Sequence, residues 1–453
     1  MTRALELAAR TVRAADGDGA EAFALAERSG FARFAASEVH QPTLIENEGV
    51  HLRVARDGRV GAAATNVVSD EGLRALAARA REAAERAPRD RDFEGFASGE
   101  TVADVPGFDP ETAEVDAAEQ AECAAKMIDA VSGFGVYGFF TTGTTDLAVA
   151  TSAGQAVEQR LTDATAFALA ADEDASGYAE QTSWAVGELD PAAVAREAAE
   201  IAAKTRGPVV LEPGSYRAVL QPAAVADLLQ YFAFDTFGGL GLLEDRSYAS
   251  GRLGDRVFDR RISLADDALD PAGLPKAFDF EGRPKQRVEL VEDGVLRGVV
   301  WDTAAAARAD GARSTGHAPP PSLRQWGPLP FALSLAGGEA ASVDDLVDAV
   351  DDGIYVTCLH YLGVVEEREG VITGMTRDGT FRIRGGRIAE PLLNLRFTVA
   401  MPELLADVPA LTRTRTLVNQ SHFYDDRYPY GSLVPALATA RFDVTGIGGG
   451  PGV

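Results

Sequence analysis

The chain of 453 residues is poor in the side chains that usually announce a site: two cysteines, five histidines and four lysines. Each shortage excludes something. Cys123 and Cys358 lie in different halves without CxxC spacing, so neither a disulfide framework nor a paired-cysteine metal site is expected. Cys123 falls in a helical pattern and Cys358 in a strand-like run, which suits buried free thiols. No HExxH, GxSxG or Walker motif occurs. No run approaches the ~20 apolar residues of a membrane-spanning helix. The opening MTRALELAARTVRAADGDG reads as an amphipathic helix and not as a signal peptide. Positive charge is scarce too. A net charge of −26 opposes phosphate binding, so no nucleic-acid partner is expected, and neither is a membrane. The expected location is cytoplasmic. Lys126, Lys204, Lys276 and Lys285 are the only lysines, so the basic side chains are nearly all arginine.

What is present is the composition of an ordinary globular protein, 46% hydrophobic and 25% charged. The length calls for two or three domains. After the first helix come strand-like runs EAFALAE, FARFAAS, PTLIENEG and VHLRVARDGRVGAAAT, the last a hairpin turning at Asp57-Gly58. EGLRALAARAREAAERA then repeats at helical period, capped by Ser69 or Asp70. These elements define an α/β domain over 1–88, and the aperiodic, Gly/Pro-rich stretch 89–110 reads as a linker. A central α+β domain over 111–205 has helices at both ends and sequential strands between them, which favours an antiparallel sheet with helices on one face. Residues 206–453 form a β-rich carboxy-terminal domain. Its hairpins are marked at Glu292-Asp293-Gly294, Arg377-Asp378-Gly379 and Arg384-Gly385-Gly386. Ser342, with Asp345 three positions on, caps a short helix. The fold class is α+β with antiparallel sheets.

Composition and spacing provide no complete catalytic set. The glycines of FGGLGLL neither follow a strand nor open a helix at dinucleotide spacing. His40 and His51 lie in strand-like surface runs. His317 lies in the long proline-rich loop STGHAPPPSLRQWGPLP, a length that suits either a functional loop or a surface flap. His360 closes the apolar strand GIYVTCLHYLG, where a satisfied core histidine is the simpler reading. His422 sits in SHFYDDRYPYG, a mixture of aromatic and acidic groups found in many clefts.

Five runs together resemble the TldD/PmbA family: GVHLRVARDGRVGAAAT, STGHAPPP, DDGIYVTCLHYLG, VITGMTRDGTFRIRGGRIAEP and VPALATARFDVTGIGGG. They occur in the family's order and span nearly the whole chain. The resemblance implies an α/β front half and a large β-rich carboxy-terminal domain. It also implies one of two kinds of subunit. The TldD kind carries HExxxH on a helix and a later cysteine as zinc ligands. The TldE, or PmbA, kind lacks them and pairs with TldD to form a peptidase. Such pairs are associated with degrading small unfolded peptides, with maturing peptide antibiotics and with the designation modulator of DNA gyrase.

Aligned on the flanking Leu228-Leu229 and on the Ser247, Gly251, Gly254 run, the resemblance places Gln230 at the first histidine, Tyr231 at the glutamate and Asp235 at the second histidine. Counting back from Pro435 places the cysteine position near Ser421, beside His422. Zinc needs three good protein ligands and an open water position. An amide oxygen is a poor ligand, and Tyr231 cannot serve as the carboxylate base of a metallopeptidase. The expectation is therefore a TldE-like subunit without a metal of its own. Zinc is expected in a TldD-type partner of a heterodimer, with unfolded peptide as substrate. Asp235, His317, His360 and His422 are the candidate cleft residues, with Pro319, Pro320 and Pro321 stiffening a flap. Two alternatives remain open: a metal-independent enzyme using His317 and His360, and a non-catalytic module that pairs peptide along a sheet edge.

Overall fold

The computed structural model describes residues 1–421 and 427–448. Helix α1 (Arg3–Ala14) is capped by Thr2, whose side chain accepts from the Leu5 amide. Four predicted strand runs merge into three long strands, β1 (Gly19–Ala35), β2 (Glu38–Arg56) and β3 (Arg59–Thr65). Asp57 and Gly58 both have positive φ, as a two-residue turn of this hand requires. Ser69, and not Asp70, caps α2 (Asp70–Arg86). After the linker come α3 (Pro110–Glu114) and α4 (Ala117–Asp129), then β4 (Gly135–Thr151), β5 (Ala156–Ala171), β6 (Ser176–Ser183) and α5 (Pro191–Lys204).

The stretch 89–110 does not separate two sheets. β1 pairs antiparallel with β4 from Glu21↔Thr151 to Phe34↔Gly138, giving one six-stranded sheet of order β3-β2-β1-β4-β5-β6. Strand alternation decides what each face does. Ala20, Ala22 and Ala24 point to the helices, beside Leu7 of α1 and Leu73 and Leu76 of α2. Phe23 and Leu25, on the other face, join Leu147, Val149, Phe278, Phe280 and Tyr428 in a cluster that binds the sheet to the carboxy-terminal domain. Helices press close on both outer strands. A Cβ on Gly61 would lie 2.0 Å from the Ala84 amide, and one on Gly177 would lie 2.2 Å from the Ala198 carbonyl.

The carboxy-terminal domain is built on an eleven-stranded sheet. Its strand Gly431–Ile447 pairs with Leu395–Ala400 on one side and with β7 (Gly214–Leu220) on the other. β7 also pairs with Gly353–Glu366, which pairs with Val371–Arg384, and that strand pairs with Leu395–Ala400, so these five strands close a circuit. Helix α6 (Pro222–Thr236) packs Leu228, Leu229 and Phe232 into the same core. Ser342 and Asp345 form the expected capping box. One turn assignment needs correction. Asp293-Gly294 and Gly385-Gly386 do reverse the chain, but Asp378 and Gly379 lie inside the single strand Val371–Arg384. Their positive φ values, 52° and 131°, serve a bulge opposite Thr357 and not a turn.

Arg427 crosses from the carboxy-terminal domain into the six-stranded sheet. It is 4% exposed, and its Nε and second terminal nitrogen donate to the two Asp163 oxygens at 2.9 and 2.5 Å. Its amide donates to Glu27 at 2.7 Å. Arg427→Met leaves Asp163 buried without its counter-charge and is expected to cost about 3–5 kcal/mol. The second change Asp163→Leu should recover much of that loss, and chemical denaturation of the single and double variants measures both.

Candidate functional site

Helix α6 begins with Pro222 in its first turn and buries Ala224, Val225, Ala226, Leu228, Leu229, Phe232, Ala233 and Thr236. That burial leaves one narrow stripe on the helix surface. Asp227, Gln230, Tyr231 and Asp235 fall on it at spacings of three, four and eight, which is one face of a 3.6-residue helix. An apolar helix thus carries an amide and a carboxylate because Asp227, Gln230 and Tyr231 of this stripe face a cleft.

The cleft, of about 450 Å³, is bounded by Asp227, Gln230 and Tyr231 of α6, by Leu359 to Leu362, and by Asn419 to Ser421. Hydrogen bonds hold the walls. Gln230 Nε2 donates to the Tyr430 hydroxyl at 3.3 Å. Gln420 Nε2 donates to the Ala226 carbonyl at 3.1 Å, and its Oε1 accepts from Ser432 at 2.6 Å. Ser421 Oγ accepts from the Tyr430 amide at 2.8 Å and donates to its carbonyl at 3.1 Å. A larger groove of about 680 Å³ lies on the six-stranded sheet, but charged groups there are already paired, Arg3 with Glu48, Arg28 with Glu46 and Arg160 with Asp146.

Four of the positions singled out from sequence, Gln230, Tyr231, His360 and Ser421, meet at this cleft. His360 is half-buried, and burial, then Arg377, hold its imidazole below the ordinary value against the pull of Asp378. Asp235 lies a turn further along α6. Burial and Glu367 raise its carboxyl to about 6, with Arg246 opposing. The structure moves His317 away from the cleft altogether. Its ring is fully buried, with Nε2 at 2.8 Å from Asp266 and Nδ1 at 2.9 Å from the Thr315 hydroxyl. Burial and the buried Lys285 hold that imidazole low. Gly316, Ala318 and Pro319 are buried beside it, so the start of the proline-rich segment is core and not flap. His422 lies outside the described residues.

Sequence reading missed two carboxylates, Asp227, which lines the cleft, and Glu180, which lies behind it and accepts from the amide of the lining residue Asn419. Burial raises Glu180 of β6 to about 7, although Tyr178 and the Asn419 amide donate to it. Burial, then the Glu180 charge, raises Asp227 to about 7. Asp227 was visible as the residue one turn before Gln230 and Tyr231. Glu180 had no sequence signal, because it comes from another domain. Among the described residues, no group of three or more His, Cys, Asp and Glu side chains is placed to hold a metal ion. The described residues therefore do not fit a zinc centre.

Three sequence profiles match the chain: the PmbA/TldA metallopeptidase domain 1 over 20–84, its central domain over 109–206 and its C-terminal domain over 213–446. The chain belongs to the PmbA/TldD family. Its fold is similar to that of TldE from Thermococcus kodakarensis, with a TM-score of 0.85 at 18% identity over 97% of this chain and 99% of that one. A Thermotoga maritima protein designated a modulator of a DNA gyrase gives 0.81 at 20% identity over 94% and 96%. Among curated PmbA/TldD relatives, a metalloprotease TldD homolog of Haemophilus influenzae is 29% identical over 154 residues, 33% of this chain and 30% of that one. A metalloprotease of Methanothermobacter thermautotrophicus is 25% identical over 171 residues, 37% and 36% of the two chains. The chain thus matches about a third of the length of these curated relatives.

The raised carboxyls set a pH dependence. In the unfolded chain these groups lose their protons near the ordinary values of 3.8 and 4.5, but in the folded chain they keep them until about 7. Between those limits these two groups bind more protons in the folded state, so their contribution to stability falls as pH rises from about 4 to about 7 and then levels. Asp227→Asn removes one such group. Its unfolding midpoint should exceed that of the parent at pH above about 7 and approach it near pH 4, as measured by thermal denaturation across that range.

Proposed function

We propose that this chain is the TldE-type subunit of a TldD/TldE-type metallopeptidase complex, holding peptide in the α6 cleft while a TldD-type partner carries the zinc. One observation carries the reading: Gln230, Tyr231 and Ser421, the positions aligned with the family's histidine, glutamate and cysteine, line one cleft. An amide, a phenol and a hydroxyl keep the site polar and able to hydrogen-bond a peptide backbone. None is a strong zinc ligand, and none is a carboxylate that activates a zinc-bound water. The absence of a three-ligand group among the described residues and the similarity to metalloproteases and to a TldE fold support the same reading. The metal-independent alternative finds less support, because His317 and His360 are not brought together and His317 has no access to the cleft.

Co-expression with a TldD-type protein should give a heterodimer on size exclusion, with an obligate interface above ~2,000 Å². Elemental analysis should find zinc in the complex and less than stoichiometric zinc in this chain alone, and peptide cleavage should need both subunits. One tightly held zinc per isolated chain, or separate elution of the two proteins at micromolar concentration, would overturn the assignment.

A further inference from the structure

Among its described lining residues the α6 cleft has a carboxyl but no cation to match it. Asp227 lines the cleft, half-buried, and among the described residues it has neither an ion pair nor a hydrogen bond. The charged group acting on it is another carboxylate, Glu180. Gln230 spends its amide nitrogen on Tyr430, which leaves Oε1 open. No arginine or lysine is among the described residues lining the cleft, and His360 is held toward its neutral form. A partly desolvated carboxylate without a partner is costly, so the cleft as built favours an incoming positive charge. Among the described residues fewer than three suitable ligands converge there, which disfavours a metal ion.

The rim points the same way. Tyr231 is 38% exposed and Tyr361 is 74% exposed at the cleft mouth. Tyr361 has φ of 52°, in the left-handed region that a bulky residue rarely adopts, where the strand register slips between His360 and Gly363. Such strain persists only where the surrounding structure enforces it, and here it sets an aromatic ring at the lip of an acidic cleft. Aromatic faces attract organic cations.

We propose that this cleft binds a protonated primary amine, with the ammonium against Asp227 and Gln230 Oε1 and with Tyr231 and Tyr361 flanking it. The inference rests on reading the cleft as a peptide site. A peptide supplies such an amine from its amino terminus or from a lysine side chain. An ammonium group carries three donors and no acceptor, which complements the Asp227 carboxylate and Gln230 Oε1.

The test titrates three peptides into the isolated chain and into its complex by calorimetry at neutral pH: trialanine amide, N-acetyl-trialanine amide and N-acetyl-Ala-Lys-Ala amide. At least one of the two amine-bearing peptides should bind about tenfold or more tighter than the fully blocked one, the size expected of a charge-assisted hydrogen bond. Preference for trialanine amide identifies the amino terminus as the source, and preference for the lysine peptide identifies the side chain. Asp227→Asn should abolish the discrimination and Asp227→Glu should keep part of it, with near-ultraviolet circular dichroism confirming that both variants fold. Equal affinity for all three peptides, no measurable binding of any, or discrimination that survives Asp227→Asn overturns the proposal. A complex that forms and cleaves peptide without discriminating amines refutes only this inference. Amine binding by a chain that forms no complex refutes only the subunit assignment.

Discussion

A buried guanidinium demands a carboxylate, and two arginines under that constraint fix how the six-stranded sheet meets the carboxy-terminal domain. Arg53 of β2 donates to Glu21 of β1 at 3.1 Å and to Glu281 across the seam at 2.9 Å. Arg427 reaches the other way, to Asp163 and Glu27. Desolvation offsets most of the Coulombic gain of such pairs, but a docking that left one of these charges unpaired would be strongly disfavoured. The cleft inherits this precision. Tyr428 follows Arg427 into the aromatic seam against Phe280, and two residues later Tyr430 bonds both Gln230 and Ser421. Glu180 on β6 and Asp227 on α6 come close only because the two bodies meet in this one way.

The buried polar groups divide into two kinds. Around His317 the imidazole bonds Asp266 and the Thr315 hydroxyl, and Lys285 lies in the field of Asp266 and Asp279. Such a network specifies packing and offers nothing to a ligand. At the cleft no arginine or lysine is among the described lining residues, and Asp227 and Glu180 keep their protons toward neutral pH. The contrast between satisfied and unsatisfied burial separates a structural histidine from a site acid better than residue type does.

Local rules made much of the fold legible. Ser69 and Ser342 cap their helices because their hydroxyls meet orphan amides, and Asp57-Gly58 turns because both residues accept positive φ. The α+β class followed from the same periodicities. Asp378-Gly379 shows the limit of such rules: the dipeptide signals positive φ, which a bulge satisfies as well as a turn. The β1–β4 pairing joins strands more than a hundred residues apart, and no local signal encodes it. His317 was misplaced for a related reason, since a proline-rich loop looks mobile until the buried Asp266 that anchors it is in view. The α6 stripe was half read. Gln230, Tyr231 and Asp235 stood out against an apolar helix, while Asp227, on the same face, went unremarked.

The scarcity of lysine acquires a different meaning once the four are placed. Lys276 is buried with its ammonium on the carbonyls of Leu274 and Pro429, and burial, then the Lys285 charge, lowers it to about 7. Lys285 is buried as well. Lys126 on α4 and Lys204 at the end of α5 remain exposed, both in the central part of the chain, together with the amino group of Met1. Amine-directed acylation and cross-linking therefore report almost entirely on the helical face of the six-stranded sheet. The carboxy-terminal domain, which holds most of the chain, is silent to that chemistry while it stays folded, so its lysines become a reporter of unfolding.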